Sequence, residues 1–255
     1  MARTLHNMTG LRTTGDAPAG RGGFTLIEML VIILIIAILV GILVPSVYSA
    51  LERVKRNSTL ATVRLLDSAC RMYKSDMGDF PDSNSREVLD PNVAIVIDSK
   101  TFEGRHRLVQ ALTGYLGKDV NGNSIDGKDG PGFRLTGFRG TVYGPYNGSE
   151  KVKTVSADPN TPPAFVDSFG NEIYYYKFRD PDDNGIEPAK FVNDDNTGGP
   201  ADADKYARRD PNDPNTYETR EFMIISAGPD EEFLSPYDAE QAGSKTDDIT
   251  NFRSR

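Results

Sequence analysis

A single carboxylate stands in the most apolar stretch of this chain. Between Phe24 and Val44 only Thr25 and Glu28 are polar. About 21 residues at 1.5 Å rise each cover the roughly 30 Å hydrocarbon core of a bilayer. In lipid such a stretch has to be a helix, because every backbone N–H and C=O must find its partner within the segment. A charged side chain near such a span costs about 3 kcal/mol on insertion scales, so Glu28 needs a reason to be there. An ordinary secretory signal is the plain alternative. Its cut would follow the apolar run at small residues, and Pro45 to Ala50 loosely imitates that site. The run is too long for the usual signal core, and a simple signal anchor leaves Glu28 unexplained.

The residues ahead of the run supply the reason. Gly22 and Gly23 precede Phe24, and Gly23, Phe24, Thr25, Leu26, Ile27 and Glu28 lead directly into the apolar segment. This order resembles the class III signal of type IV prepilins and type II secretion pseudopilins. The resemblance implies that a prepilin peptidase cuts after Gly23, that Phe24 becomes an N-methylated terminus, and that Glu28 serves assembly. It places residues 1–23 in the cytoplasm as a leader and the chain beyond the span outside. Charge alone gives no orientation. Arg53, Lys55 and Arg56 follow the span as closely as Arg3, Arg12 and Arg21 precede it.

The leader carries those three arginines against Asp16, so removing it takes the chain from −8 to about −10. That balance argues against nucleic acid as a partner, which calls for a basic face. Cys70 is the one cysteine, so no intrachain disulfide can form. The domain must rely on a large core or a metal, and Cys70 itself reads as a small buried hydrophobe. The histidines are His6, in the leader, and His106, which reads as a surface residue of a short helix. No HExxH, GxSxG or P-loop pattern is present, and catalysis is not expected.

Residues 24–44 read as the transmembrane segment and 45–78 as the amphipathic half of the same long helix. Pro45 is expected to kink or locally melt it. After Pro45 an apolar stripe runs through Val47, Leu51, Val54, Ser58, Ala61, Leu65, Ala69, Met72 and Tyr73. Glu52, Arg53, Lys55, Arg56, Asn57 and Lys74 form the opposite face. Met77-Gly78 ends the helix. Residues 79–255 read as an α+β domain. It has a short strand at Val93–Ile97, a second helix over 105–117 capped by Gly117, and a Gly/Asp/Asn/Pro-rich insertion over 118–163. Strand-like pieces lie near Phe133–Leu135 and Thr141–Tyr143. A hairpin runs from Phe165 to Arg179, a polar surface loop fills 180–219, and the last strand covers Arg220–Ala227.

Three segments extend the resemblance. Tyr73–Pro81 is similar to the segment after the long helix of major pseudopilins. DSFGNEIYYY is similar to their D-P-W-G-N-P-Y-x-Y hairpin, with Ser168 and Phe169 in place of Pro and Trp. SAGPDEEF (Ser226–Phe233) and TDDITNF (Thr246–Phe252) resemble the ending S-L-G-A-D-G … D-I-x-N-W, though longer and without its glycine pair. In that family an Asp on each side of this loop holds calcium with backbone carbonyls. The resemblance puts Asp230 and Asp248 in those roles, with Asp247 an adjacent candidate. Carboxylates and carbonyls on loops are the oxygen donors calcium prefers. Two other acidic stretches imitate calcium loops: Asp119, Asn121, Asn123 and Asp126, and Asp180, Asp182, Asn184 and Gly185. Each lacks the bidentate Glu at the twelfth position, where Gly130 and Phe191 stand, so metal-free turns are the favoured reading.

The implied fold is the α+β pilin fold, a long N-terminal helix packed on a small antiparallel sheet with loop insertions. The implied function is structural: a subunit of the type II secretion pseudopilus, supporting protein export by filament assembly. Its expected partners are copies of itself, the prepilin peptidase, an inner-membrane assembly platform, minor pseudopilins and the membrane. The expected location is the inner membrane in a single pass, with the domain in the periplasm. A surface type IV pilus for adhesion, motility or DNA uptake is the alternative, and a membrane-anchored enzyme a third class.

Overall fold

The computed structural model describes residues 23–83, 86–87, 101–118, 124–126, 135–136, 142–156, 162–179, 190–210, 213, 216–235, 238–239, 242 and 246–252. The leader up to Gly22, the Val93–Ile97 strand, the calcium-like positions Asp119 to Asn123 and Asp180 to Gly185, and residues Phe133 and Thr141 lie outside them. The chain divides into two compact units between Tyr48 and Ser49.

Helix α1 spans Leu26–Met77. It is long and apolar enough to cross a membrane, and its apolar part is exposed. The helix runs without a break past Gly41 and Pro45, where the sequence suggests a kink or local melting. Proline removes one backbone donor from the ladder, and one turn of lost pairing is small in a helix of 52 residues. Next to it, Ser46 Oγ donates to the Ile42 carbonyl at 3.2 Å.

In the second unit α1 presents Thr59, Val63, Leu66, Ala69 and Cys70 to the core, flanked by Leu60, Leu65 and Tyr73. Thr59, Val63, Leu66 and Cys70 step by four, three and four, which keeps one face of a 3.6-residue helix. The face is rotated from the stripe expected from sequence. Val47, Leu51, Val54, Ser58, Ala61 and Met72 are exposed, and only Leu65, Ala69 and Tyr73 of that stripe join the packing. Arg56 also changes sides: it is half-buried and its Nη1 donates to the Asp247 carbonyl at 3.0 Å. Cys70 is the buried hydrophobe expected, and burial pushes its thiol pKa well up. At the helix end the Gly78 N–H reaches the Lys74 carbonyl at 2.8 Å with φ +91°, a backbone state in which glycine has no steric penalty.

Short strands β1 (Arg86–Glu87) and β2 (Thr101–Phe102) pair antiparallel. Helix α2 follows at Gly104–Thr113. It ends three residues earlier than expected, at Gly114 (φ +73°), whose N–H bonds the Gln110 carbonyl at 2.7 Å. Gly117 therefore caps nothing. It lies in β3 (Tyr115–Lys118), which pairs with β4 (Ser124–Asp126). His106 is only 4 % exposed, against the surface position read from sequence. It is the third residue of α2 and closes a capping box: its Nδ1 accepts from the Glu103 N–H at 3.2 Å, and Glu103's side chain accepts in return.

Strands β5 (Leu135–Thr136) and β6 (Val142–Tyr143) form a third small pair, and β7 (Thr154–Val155) with β8 (Ala164–Phe165) a fourth. The expected hairpin turn is present after β8. Asp167 Oδ1 accepts the N–H groups of Phe169, Gly170 and Asn171 at 2.7–2.8 Å, an Asp holding its own turn. The chain then enters β9 (Tyr174–Lys177). Helix α3 is a single turn at Ala203–Tyr206. The main sheet is β9, β10 (Phe222–Ser226) and β11 (Ile249–Thr250), antiparallel with β10 in the centre.

Alternation along β9 and β10 builds two cores. Tyr175, Phe222 and Ile224 face α1 and α2, where they meet Val63, Leu66, Leu108 and Leu112. Tyr176, Met223 and Ile225 face the other way and meet Phe191, Ala203, Tyr206 and Ala207. Each such side chain contributes about 2 kcal/mol by leaving water. Residues 190–207 thus lie over the second sheet face, where the sequence reading made all of 180–219 a surface loop. Polar composition hid the anchors. Phe191 and Tyr206 are buried, and so is Asp195, which pairs with Arg179 and accepts from Ser83 Oγ at 2.5 Å. Burial pushes the Asp195 pKa up to about 6, against the pull of Ser83 and Arg179.

Candidate functional site

At the N-terminus the first helical bond runs from the Met29 N–H to the Thr25 carbonyl at 3.2 Å. Glu28 Oε2 accepts from the Thr25 N–H at 2.7 Å and from Thr25 Oγ1 at 2.8 Å, while the Glu28 N–H donates to Thr25 Oγ1 at 3.3 Å. This is a reciprocal capping box. It satisfies donors that a helix start leaves open, and open donors are costly in lipid. The sequence signal for it is T-x-x-E, Thr25 to Glu28, ahead of an apolar run. Phe24 is 75 % exposed and nothing lies within 4 Å of where a Gly23 Cβ would stand.

The C-terminal loop is built around a glycine. At Gly228 φ is +76°, and a Cβ there would lie 2.8 Å from the Asp247 carbonyl oxygen and 3.0 Å from its Oδ2. The close approach therefore requires glycine. Asn171 Nδ2 donates to the Gly228 carbonyl at 2.6 Å and ties the β8–β9 turn to this loop. Asp230 and Asp247 face each other. Burial first, and then the neighbouring Asp230 carboxylate, push the Asp247 pKa up. Asp248 turns elsewhere. Its Oδ2 accepts from Tyr206 Oη at 2.7 Å, Thr246 Oγ1 at 2.8 Å and the Leu234 N–H at 3.0 Å. Its Oδ1 is buried without a partner, and burial pushes the group up to about 7.

The structure therefore joins Asp230 to Asp247, while Asp248 sits beside them with one open oxygen. No group of three or more His, Cys, Asp or Glu suited to a metal occurs among the described residues. A cation here would need carbonyl oxygens as well. The donors are all oxygens, and the crowded Asp230–Asp247 pair fits a hard divalent ion.

The family model for the prokaryotic N-terminal methylation motif matches residues 19–44. The N-terminal segment carries that methylation motif. It is similar to proteins named type II secretion system core protein G. The match to that of Pectobacterium carotovorum subsp. carotovorum is 32 % identical over 72 residues, 28 % of this chain and 46 % of that protein. For Escherichia coli K12 it is 34 % over 62 residues, 24 % and 43 %. For Aeromonas hydrophila it is 33 % over 61 residues, 24 % and 43 %. The chain thus spans less than half the length of the relatives it matches. No solved structure matches it. The long apolar N-terminal helix and the small antiparallel sheet agree with the α+β fold expected from sequence.

Proposed function

We propose that this chain is a structural subunit of a type II secretion pseudopilus, working by assembly. The observation that carries the reading is the Gly23–Glu28 junction opening a long apolar helix, in a segment similar to core protein G. In this reading a prepilin peptidase cleaves after Gly23 and Phe24 receives the methyl group. The subunit waits in the inner membrane in a single pass with its domain in the periplasm. An assembly platform and minor pseudopilins guide its copies into a helical filament. Glu28 keeps Oε2 on Thr25 and offers Oε1 to the Phe24 ammonium of a neighbour. Two opposite charges that meet in apolar surroundings are far better off than either one alone there.

Calcium belongs to the same proposal. Asp230 and Asp247 would hold it, with Asp248 Oδ1 beside them and carbonyl oxygens completing the set. Bound, it neutralises the carboxylate pair and closes the loop after β10, the task a disulfide cannot perform in a chain with one cysteine.

Mass spectrometry of the mature N-terminus tests the reading. The expected terminus is N-methylated Phe24; one beyond residue 44 would sink it. Glu28→Ala should be inserted and cleaved yet give few filaments by microscopy.

A further inference from the structure

A groove of about 510 Å³ opens on the second unit, between α1 and the β8–β9 turn. Thr62 and Leu65 form one wall, and Lys151, Lys153, Asp167 and Phe169 belong to the others. Its charge is one-sided. Lys151 and Lys153 are exposed, and neither has a carboxylate partner among the described residues. Lys55 adds a third ammonium, 5.6 Å from the centre of the Phe169 ring at the groove wall. The one carboxylate in the lining is spent: Asp167 Oδ1 takes three turn N–H groups and Oδ2 accepts from Ser226 Oγ at 2.7 Å. Glu150, on the preceding turn, is exposed and outside the lining.

The same unit carries the complementary feature. After the single turn at Gly228–Asp230 the backbone passes through Glu231 at φ +65°, a left-handed state that few non-glycine residues adopt. Such strain persists where surrounding structure or function demands it. It leaves Glu231 and Glu232 exposed side by side, with no cationic partner among the described residues. Asp230 Oδ1 is tied to the loop's own backbone, where it accepts the Glu232 N–H at 3.0 Å.

We propose that the Lys55–Lys151–Lys153 groove receives the Glu231–Glu232 loop of a second copy of this chain. The inference rests on the filament reading above and names its contact. Groove and loop are different patches of one molecule, so the interface is head-to-tail. Repeated head-to-tail contacts that do not close into a ring produce a helical filament. Opposite charge on the two patches sets register and rejects a like-charged neighbour. The contact weakens as salt rises, because all five groups are at the surface.

The test uses the full-length chain. Lys153→Cys and Glu232→Cys, carried on separately tagged copies and co-expressed, should crosslink between copies with a short bis-maleimide, while buried Cys70 does not react. Lys151→Glu with Lys153→Glu should cut filament yield about tenfold. Adding Glu231→Lys and Glu232→Lys should restore it, which loss of folding would not allow. If wild type forms filaments while the reversed pair assembles normally and no crosslink appears, the proposal is overturned and the filament reading stands. If crosslinking joins copies but no filament forms under any condition, the filament reading fails and the contact stands. A crosslink only to another envelope protein, and none between the two tagged copies, overturns the proposal.

Discussion

His106 should make the domain acid-sensitive in a defined window. Burial first, and then the Arg105 guanidinium, push its pKa down to about 4 from the usual 6.5, while Glu103 pulls weakly the other way. A neutral imidazole accepts at one nitrogen only. Nδ1 closes the capping box at 3.2 Å, so Nε2 carries the proton. The 3.4 Å approach of Arg105 Nε to Nε2 is then a charge contact opposing protonation. Between pH 6.5 and 4 the unfolded chain binds the proton and the folded chain does not, so stability falls as pH falls through that window. At about 1.4 kcal/mol per pH unit the loss totals roughly 3 kcal/mol. His106→Gln removes the titration and keeps a capping-box residue at the third position. Urea unfolding of the full chain in detergent, from pH 4 to 7.5, measures it. The wild type should lose about 3 kcal/mol more than the variant across the window. Parallel pH profiles for the two would refute the buried, neutral imidazole.

Asp195→Ala strands the buried Arg179 and should cost about 3–5 kcal/mol in thermal unfolding; Asp195→Leu with Arg179→Met should recover most of it. Gly104→Ala drives a Cβ into the Tyr175 carbonyl oxygen and to 2.9 Å from Asn196 Nδ2, and should lower the melting temperature by about 10 °C at roughly 3 kcal/mol. Calcium at one hundred times Kd should stabilise the chain by about 2.7 kcal/mol. Asp247→Ala and Asp248→Ala should each lose most of that gain, and equal melting with calcium and with chelator would dismiss the ion.

What was legible in the sequence was what is local. The Gly23–Glu28 junction, the span, the Met77-Gly78 stop and the Asp167 turn each depend on neighbours a few residues away. What was not legible depends on a distant partner. The packed face of α1 is set by where β9 and α2 meet it, so Thr59 and Cys70 belong to it while Val47 and Leu51 do not. Phe191 and Tyr206 lie in a run whose Asp, Asn and Pro content speaks for solvent, and only the second face of β10 shows what they cover. His106 looks like a surface helix residue until Glu103 is seen to need it. At the C-terminal loop both acidic segments were found, but the pairing of Asp230 with Asp247 depends on how Gly228 lets the chain approach.

The central strand has a consequence for timing. β10 begins at residue 222 and β11 ends at 250, and β10 is buried along its whole length. A ribosome releases the chain from the N-terminus, so α1 is complete more than a hundred residues before the strand that both cores need. Until that strand emerges, Val63 and Leu66 on one side and Phe191 and Tyr206 on the other have no sheet to cover. Helix α1 is therefore made before the sheet it packs on, and the domain closes only once β10 has emerged.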